Sequence, residues 1–305
     1  MTTAPQDTRL YDEDFYGAHF EGFGEVWNAF FGNSAQFEKY LPDAVAKAEK
    51  KTNGKIVRFP GEELMIDYAV YRESPDLACG LLFARRPEAM ESQLYAAFPL
   101  FEGKPNPLTV KDVRTWHNGA EGVVSATRAN GGTPITFYDP HYFKERWDLR
   151  PKSEHRIHLG ALALQIAPAE REVYSLEEGE AYDAALQKFL RDNPEKSRKD
   201  FSPPRATTEG GRMLFPTDYV GEWLYQFPVE SVTKTALFGT KFLKIAGTFA
   251  GDPGKELRGY LYASEHVLGK YQPRPGDDIQ GVLWMTGYAS DAEHLAATDP
   301  AGENQ

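Results

Sequence analysis

Two kinds of hydrophobic spacing divide the chain unevenly. Helical periodicity is confined to short stretches. Phe37, Tyr40 and Leu41 recur at helical intervals behind Asn33 and Gln36, whose spacing suits a capping box. Pro42 fits a first helical turn, and 44–51 extend the pattern until Asn53-Gly54 stops it. Farther on, Tyr182, Leu186, Phe189 and Leu190 fall on one face of a helix over 180–192, which Pro194 ends.

Elsewhere the pattern is that of strands. Apolar alternation or short apolar runs predict strands over 64–72, 77–84, 93–100, 108–116, 122–128, 134–138, 156–166, 223–227, 231–237, 241–249, 257–263 and 279–288. Asn130-Gly131-Gly132 and Gly251-Asp252-Pro253-Gly254 supply the positive φ of tight hairpins, and Pro275-Gly276 suits the centre of a type II turn. Leu243, Ile245 and Phe249 share one face, as do Leu257 and Leu261, while Lys244, Arg258, Tyr260 and Tyr262 face away. The run 279–288 is apolar on both faces, which places it centrally or under another layer. Gly281 and Gly287 within it mark bends or close backbone approach.

Many short strands without βαβ alternation predict a β-dominated α+β fold. In layout the C-terminal half resembles a five-stranded OB-type Greek-key barrel, an antiparallel barrel of this or a related kind with a helical insertion. Residues 1–105 form a small α+β portion packed on a barrel-like domain of 106–290. A helical excursion spans 168–215, and 291–305 are a flexible tail. No internal repeat of ~20–50 residues is visible, which argues against a solenoid or propeller.

Charge narrows the function. Lys and Arg number 34 and Asp and Glu 45, so the net charge is 34 − 45 = −11. That argues against a surface coated with phosphate contacts, though it leaves room for a local basic groove. The lone cysteine, Cys79, can form neither an internal disulfide nor a cysteine zinc cage, and its apolar neighbours read as core. A polar first segment and the absence of ~18 continuous apolar residues point to a soluble, cytoplasmic chain without a membrane partner. Nothing in the sequence calls for a cofactor.

Two places carry candidate chemistry. Asp139-Pro140-His141 closes a strand with an acid and an imidazole, a competent acid/base or metal pair that His155 or His158 could complete. His155 and His158 are three apart, so in a strand only one of them could join. The plainer reading makes Asp139-Pro140 a turn or cap, with Tyr142 and Phe143 as core anchors. His117, at a hairpin tip, and His19, among glycines, carry weaker signals. No P-loop, Gly-x-Ser-x-Gly elbow or His-Glu-x-x-His helix occurs.

The second place is a surface. Arg258, Tyr260 and Tyr262 alternate along one strand, with Lys244 on its neighbour. Aromatics beside cations can stack single-stranded bases at ~1–3 kcal/mol each. The same residue types also serve protein interfaces. Trp223 and Tyr225 share a face just before Pro228, which demotes that run to a bend or to an edge able to accept a partner's strand. The excursion's cations, Lys188, Arg191, Lys196, Arg198, Lys199 and Arg205, are mixed with acids and read as a solvated loop. The function expected is that of a non-enzymatic binding protein acting on a protein partner through a sheet face or edge. The alternatives are single-stranded nucleic-acid binding and a metal-assisted hydrolase centred on Asp139 and His141.

Overall fold

A computed structural model describes residues 23–51, 55–59, 62–116, 121–128, 132, 134–146 and 148–289. The expectations for His19, His117, Asn53-Gly54, Asn130-Gly131 and the 291–305 tail lie outside these residues.

Helix α1 (Gly24–Phe31) opens the described chain and buries Val26, Trp27, Phe30 and Phe31. Gly32 stops it at φ 75°, donating its N–H to the Asn28 carbonyl at 2.7 Å. This helix was not expected, because its aromatics are adjacent to glycines and too crowded to show a clean stripe. Asn33 caps the 3₁₀ turn Ser34–Gln36, accepting the Ala35 N–H at 3.0 Å, and α2 (Phe37–Lys47) follows with Pro42 in its interior. Helix α2 ends earlier than its spacing suggests. Glu49 and Lys50 instead form strand β1, paired with Val70 and Ala69.

The first sheet is antiparallel. Strand β3 (Glu62–Arg72) pairs with β1, with β2 (Lys55–Phe59) and with β4 (Leu77–Arg85), and β5 (Gln93–Phe101) flanks β4. Residues 77–82 are buried on both faces, and Cys79 lies among them as a core residue whose thiol burial pushes far above its usual pKa.

The second sheet begins at β6 (Lys104–Thr115) and continues through β7 (Gly122–Thr127), β8 (Ile135–Asp139), helix α3 (Tyr142–Glu145) and β9 (Glu154–Pro168). An excursion follows. In it β10 (Val173–Ser175) pairs with β11 (Arg205–Thr207) and encloses helix α4 (Glu180–Asp192). Tyr182 and Phe189 of α4 close on Phe201, with ring centroids 5.5 and 5.4 Å apart. The main sheet resumes with β12 (Met213–Pro216), β13 (Glu222–Leu237), β14 (Thr240–Ala250), β15 (Leu257–Ser264), helix α5 (Glu265–Leu268) and β16 (Asp278–Ala289). Pro228 does not end its strand; it sits within β13 opposite Asp278, and the bend falls at the bulge beside Glu230.

The hydrogen-bond order closes twice. One ring runs β6-β7-β8-β16-β9 and back to β6; the other runs β13-β14-β15-β9-β16 and back to β13. Both contain the antiparallel pair β9–β16, and each holds one parallel contact, β8–β16 or β15–β9. Three strands, a short helix and a fourth strand occur in the same order in each ring, and each ring takes its fifth strand from the other. The structure is β-dominated with strands hydrogen-bonded in rings, but there are two rings where one closed sheet was expected, and the parallel contacts depart from the antiparallel pairing expected.

Residues Leu283 to Tyr288 of β16 are buried on both flanks, while Gln280, Gly281 and Val282 are half-buried. A side chain at Gly281 would collide with the Gln165 carbonyl oxygen, and one at Gly287 would lie 2.6 Å from the Phe137 ring.

Two cores result. One fills the rings, with Phe137, Ile157, Phe227, Ile245, Phe249 and Leu283 among its members. The other lies between the rings, the first sheet and the two N-terminal helices, with Trp27, Phe30, Phe98, Tyr138, Phe238 and Trp284. Phe238, at φ 54°, and Gly239, at φ 72°, form the two-residue turn joining β13 and β14. The Phe238 ring stacks on Tyr71 at 5.1 Å, and its N–H bonds Glu73 at 2.8 Å. That turn fastens one ring to the first sheet. Among the described residues no helix is long and apolar enough to cross a membrane.

Candidate binding groove and acidic cleft

Among the described residues strand β12 lies at the edge of the second sheet, paired only to β13. Register carries two rows of side chains across the outer face from that edge. Phe215, Leu224, Val282 and Gln165 are successive partners, as are Met213, Gln226, Gln280 and Ala167. The inner positions of the same strand, Trp223, Tyr225 and Phe227, fill the ring, so alternation leaves Leu224 outside. Phe215 is 57% exposed and Leu224 49%. They are the walls of a groove of about 450 Å³ whose other lining residues include Met213, Ile166, Val282, Gln226 and Gln280. The excursion is fastened beside it, since Gln226 Nε2 donates to the Thr208 carbonyl at 2.8 Å and Asp278 accepts the Gly210 N–H at 3.0 Å.

A second cavity, about 1080 Å³, adjoins the groove and shares Gln165, Ile166 and Val282 with it. Helix α1 contributes Glu25 and Asn28, α5 contributes His266 and Val267, and the 217–222 loop contributes Tyr219 and Glu222. That loop is tied down. Tyr219 donates its N–H to Thr217 Oγ1 at 3.1 Å, Glu222 donates its N–H to the Tyr219 carbonyl at 3.2 Å, and Met285 donates its N–H to the Gly221 carbonyl at 2.8 Å. It leaves Tyr219 71% exposed. Burial holds the Glu222 carboxyl above its usual pKa, and the charge of Glu25 raises it further.

The strand-face residues chosen from sequence are largely committed elsewhere. Tyr262 is fully buried against Phe101, ring centroids 5.0 Å apart, and donates its hydroxyl to the Glu102 carbonyl at 3.1 Å. Lys244 is bound by Asp76 at 2.6 Å and by Glu102, and it also lies 4.2 Å over the Tyr260 ring. Arg258 alone of this group is exposed. The face points away from the ring interior, as expected, but the first sheet covers it.

Trp223 and Tyr225 likewise face inward. The Trp223 indole N–H donates to the Thr136 carbonyl at 3.0 Å and the Tyr225 hydroxyl to the Gln165 carbonyl at 3.2 Å. Their strand segment lies between β12 and β16, so the open edge belongs to β12 and not to 223–227.

Asp139 and His141 are both deeply buried, Asp139 at 1% exposure. Asp139 Oδ1 accepts the His141 N–H at 2.8 Å, the turn-forming bond of the plainer reading, and Tyr142 is fully buried below it. The other Asp139 oxygen has no hydrogen-bond partner among the described residues. Burial raises the Asp139 pKa well above the carboxylate range, and the nearby Glu145 charge adds to it. Burial also depresses the His141 pKa, helped by Lys144.

The other two histidines go elsewhere. His155 Nε2 contacts Ser153 Oγ at 2.8 Å and the Asp148 carbonyl at 3.1 Å, and His158 stacks on Tyr288 at 5.1 Å. Among the described residues no three His, Cys, Asp or Glu side chains are grouped to hold a metal ion, so the Asp139, His141 and His155 set is not assembled.

No protein-family model, curated protein or solved structure matches the chain. Sequence reasoning missed Phe215, Leu224, Tyr219, Glu25 and Glu222. The signal for one of them was present: Leu224 stands between two aromatics that share the opposite face.

Proposed function

We propose that this chain is a non-enzymatic binding protein that receives an extended segment of a protein partner beside β12, with apolar side chains of the segment entering the groove. The observation that carries this reading is the directly paired, half-exposed Phe215 and Leu224 at the open edge of a sheet. An edge strand supplies free backbone donors and acceptors, and the adjoining groove supplies selectivity through alternate side chains. Two glutamines, Gln165 and Gln280, line the groove with accessible side chains and suit a peptide backbone, while Gln226 is already bonded to Thr208.

A protein partner fits better than nucleic acid. Among the described residues no Lys or Arg lines the groove or the adjoining cleft, and Glu25 and Glu222 would repel phosphates. In the finer description of the fold we read each five-stranded ring, with its short helix after the third strand, as an OB-like barrel. The binding face then lies outside one barrel and beside an added strand.

Selection from a random-peptide display library tests the reading. Apolar, strand-prone sequences should be enriched by the natural chain and lost with Leu224→Asp. Their binding should slow amide exchange in 213–216. Enrichment that survives Leu224→Asp, or protection confined to other strands, would overturn it.

A further inference from the structure

We infer that the cleft beside the groove is a subsite for an organic cation, a guanidinium or alkylammonium group. The inference deepens the binding reading, which makes a basic side chain of the docked segment the expected source; a free amine carries the same chemistry. Four features of the cleft support it. At about 1080 Å³ it is large enough for a long side chain or a small molecule. Its lining includes the apolar side chains Ile166, Val267 and Val282, which suit the methylene stem of such a group.

Glu25 and Glu222, from helix α1 and the start of β13, both line the cleft, and the charge of Glu25 disfavours ionisation of Glu222, a repulsion that a bound cation would relieve. Tyr219, also in the lining, is exposed and offers an aromatic side chain to a cation. His266 is the remaining titratable side chain of the lining, and no Lys or Arg is among its described residues.

The chain's own ends are poor candidates for the occupant. Residues 1–22 carry five carboxylates against Arg9 alone, and 290–305 carry four with no Lys or Arg. The excess of carboxylates in both segments favours a cation supplied by another molecule.

Backbone-amide spectra of the full chain can test this with four probes. Butylguanidinium and neutral butyramide report on the cleft by itself. Two acetylated peptides of alternating Val and Thr, one ending in Arg and the other in uncharged citrulline, report on a docked segment. Butylguanidinium should shift the amides of 28, 165, 219–222 and 267 saturably while butyramide does not. Glu25→Gln and Glu222→Gln should each weaken its binding by about threefold, the scale of a partly exposed charge pair.

The Arg peptide should bind more tightly than the citrulline peptide by a similar factor. Absence of cleft shifts with butylguanidinium, or equal shifts with butyramide, would overturn the inference whatever the peptides do. Butylguanidinium binding with no peptide binding would support the cleft and instead count against the groove. Butylguanidinium binding with equal affinity for the two peptides would support the cleft and assign the cation to a free amine. The citrulline comparison requires no variant to fold.

Discussion

The two rings have the same strand order and a shared pair of strands, yet their surroundings differ at equivalent places. After its third strand the first ring turns on Asp139, which accepts the His141 N–H and whose second, buried oxygen has no hydrogen-bond partner among the described residues. After its third strand the second ring turns on Ser264, whose hydroxyl accepts the Val267 N–H at 3.2 Å and donates to the Ala29 carbonyl at 2.6 Å. One cap is a carboxyl with a desolvation cost, the other a fully used hydroxyl. The rings differ outside as well. In the first, β6 pairs with β7 and β9; in the second, β13 gains β12 as a further partner, and the exposed groove is on that added strand. A duplicated framework thus holds a desolvated carboxyl at the turn in one copy and a new edge in the other.

Removing the anchor of the second ring should have the largest effect. Phe238 fixes the β13–β14 turn among Phe30, Phe31, Phe37, Tyr40 and Tyr71. Phe238→Ala should cost about 3–5 kcal/mol in denaturant unfolding, the range for losing a buried aromatic. A loss below about 1 kcal/mol would mean that the ring does not depend on its attachment to the first sheet.

Next is the seam between the rings. Gly281→Ala forces a methyl against the Gln165 carbonyl of β9 and should cost about 1–3 kcal/mol. The second ring should not lose stability alone, because both rings use β9 and β16.

The smallest effect concerns the contrasting cap. The Asp139 pKa is raised in the folded chain, so its favourable contribution is complete below the unfolded value near ~3.9 and is lost as pH climbs towards the folded value. His141, whose pKa is depressed, acts in the other direction and loses stability as pH falls from ~6.5. The stability of Asp139→Asn relative to the natural chain should therefore improve by about 1 kcal/mol or more from pH ~4 to ~7, since the His141 contribution is common to both. A pH-independent difference would show that the carboxyl is ionised in the fold.

Most strands were legible because one face or both are buried, which forces alternation or an unbroken apolar run. The 279–288 segment is the clearest instance, with Leu283 and Met285 inside the ring and Trp284 packed outside. Helix α4 was legible because its single apolar face closes on Phe201. Helix α1 was not, since Trp27, Phe30 and Phe31 are in an aromatic cluster that surrounds more than one face.

The candidate site was harder to read. Tyr260 and Tyr262 alternate as a solvent-facing pair would, but spacing does not reveal that the first sheet covers this face. Leu224 and Phe215 look like core residues because exposure depends on which layer is absent, a property of the whole fold and not of a strand.

Native-state hydrogen exchange tests the shared-pair architecture most directly. Amides of β9 and the 283–288 part of β16 should exchange last and together, at the rate of global unfolding, with those of β12 among the first strand amides to exchange. Contradiction would come from strands β6–β8 and β13–β15 exchanging as two independent units, or from β12 being as slow as β13.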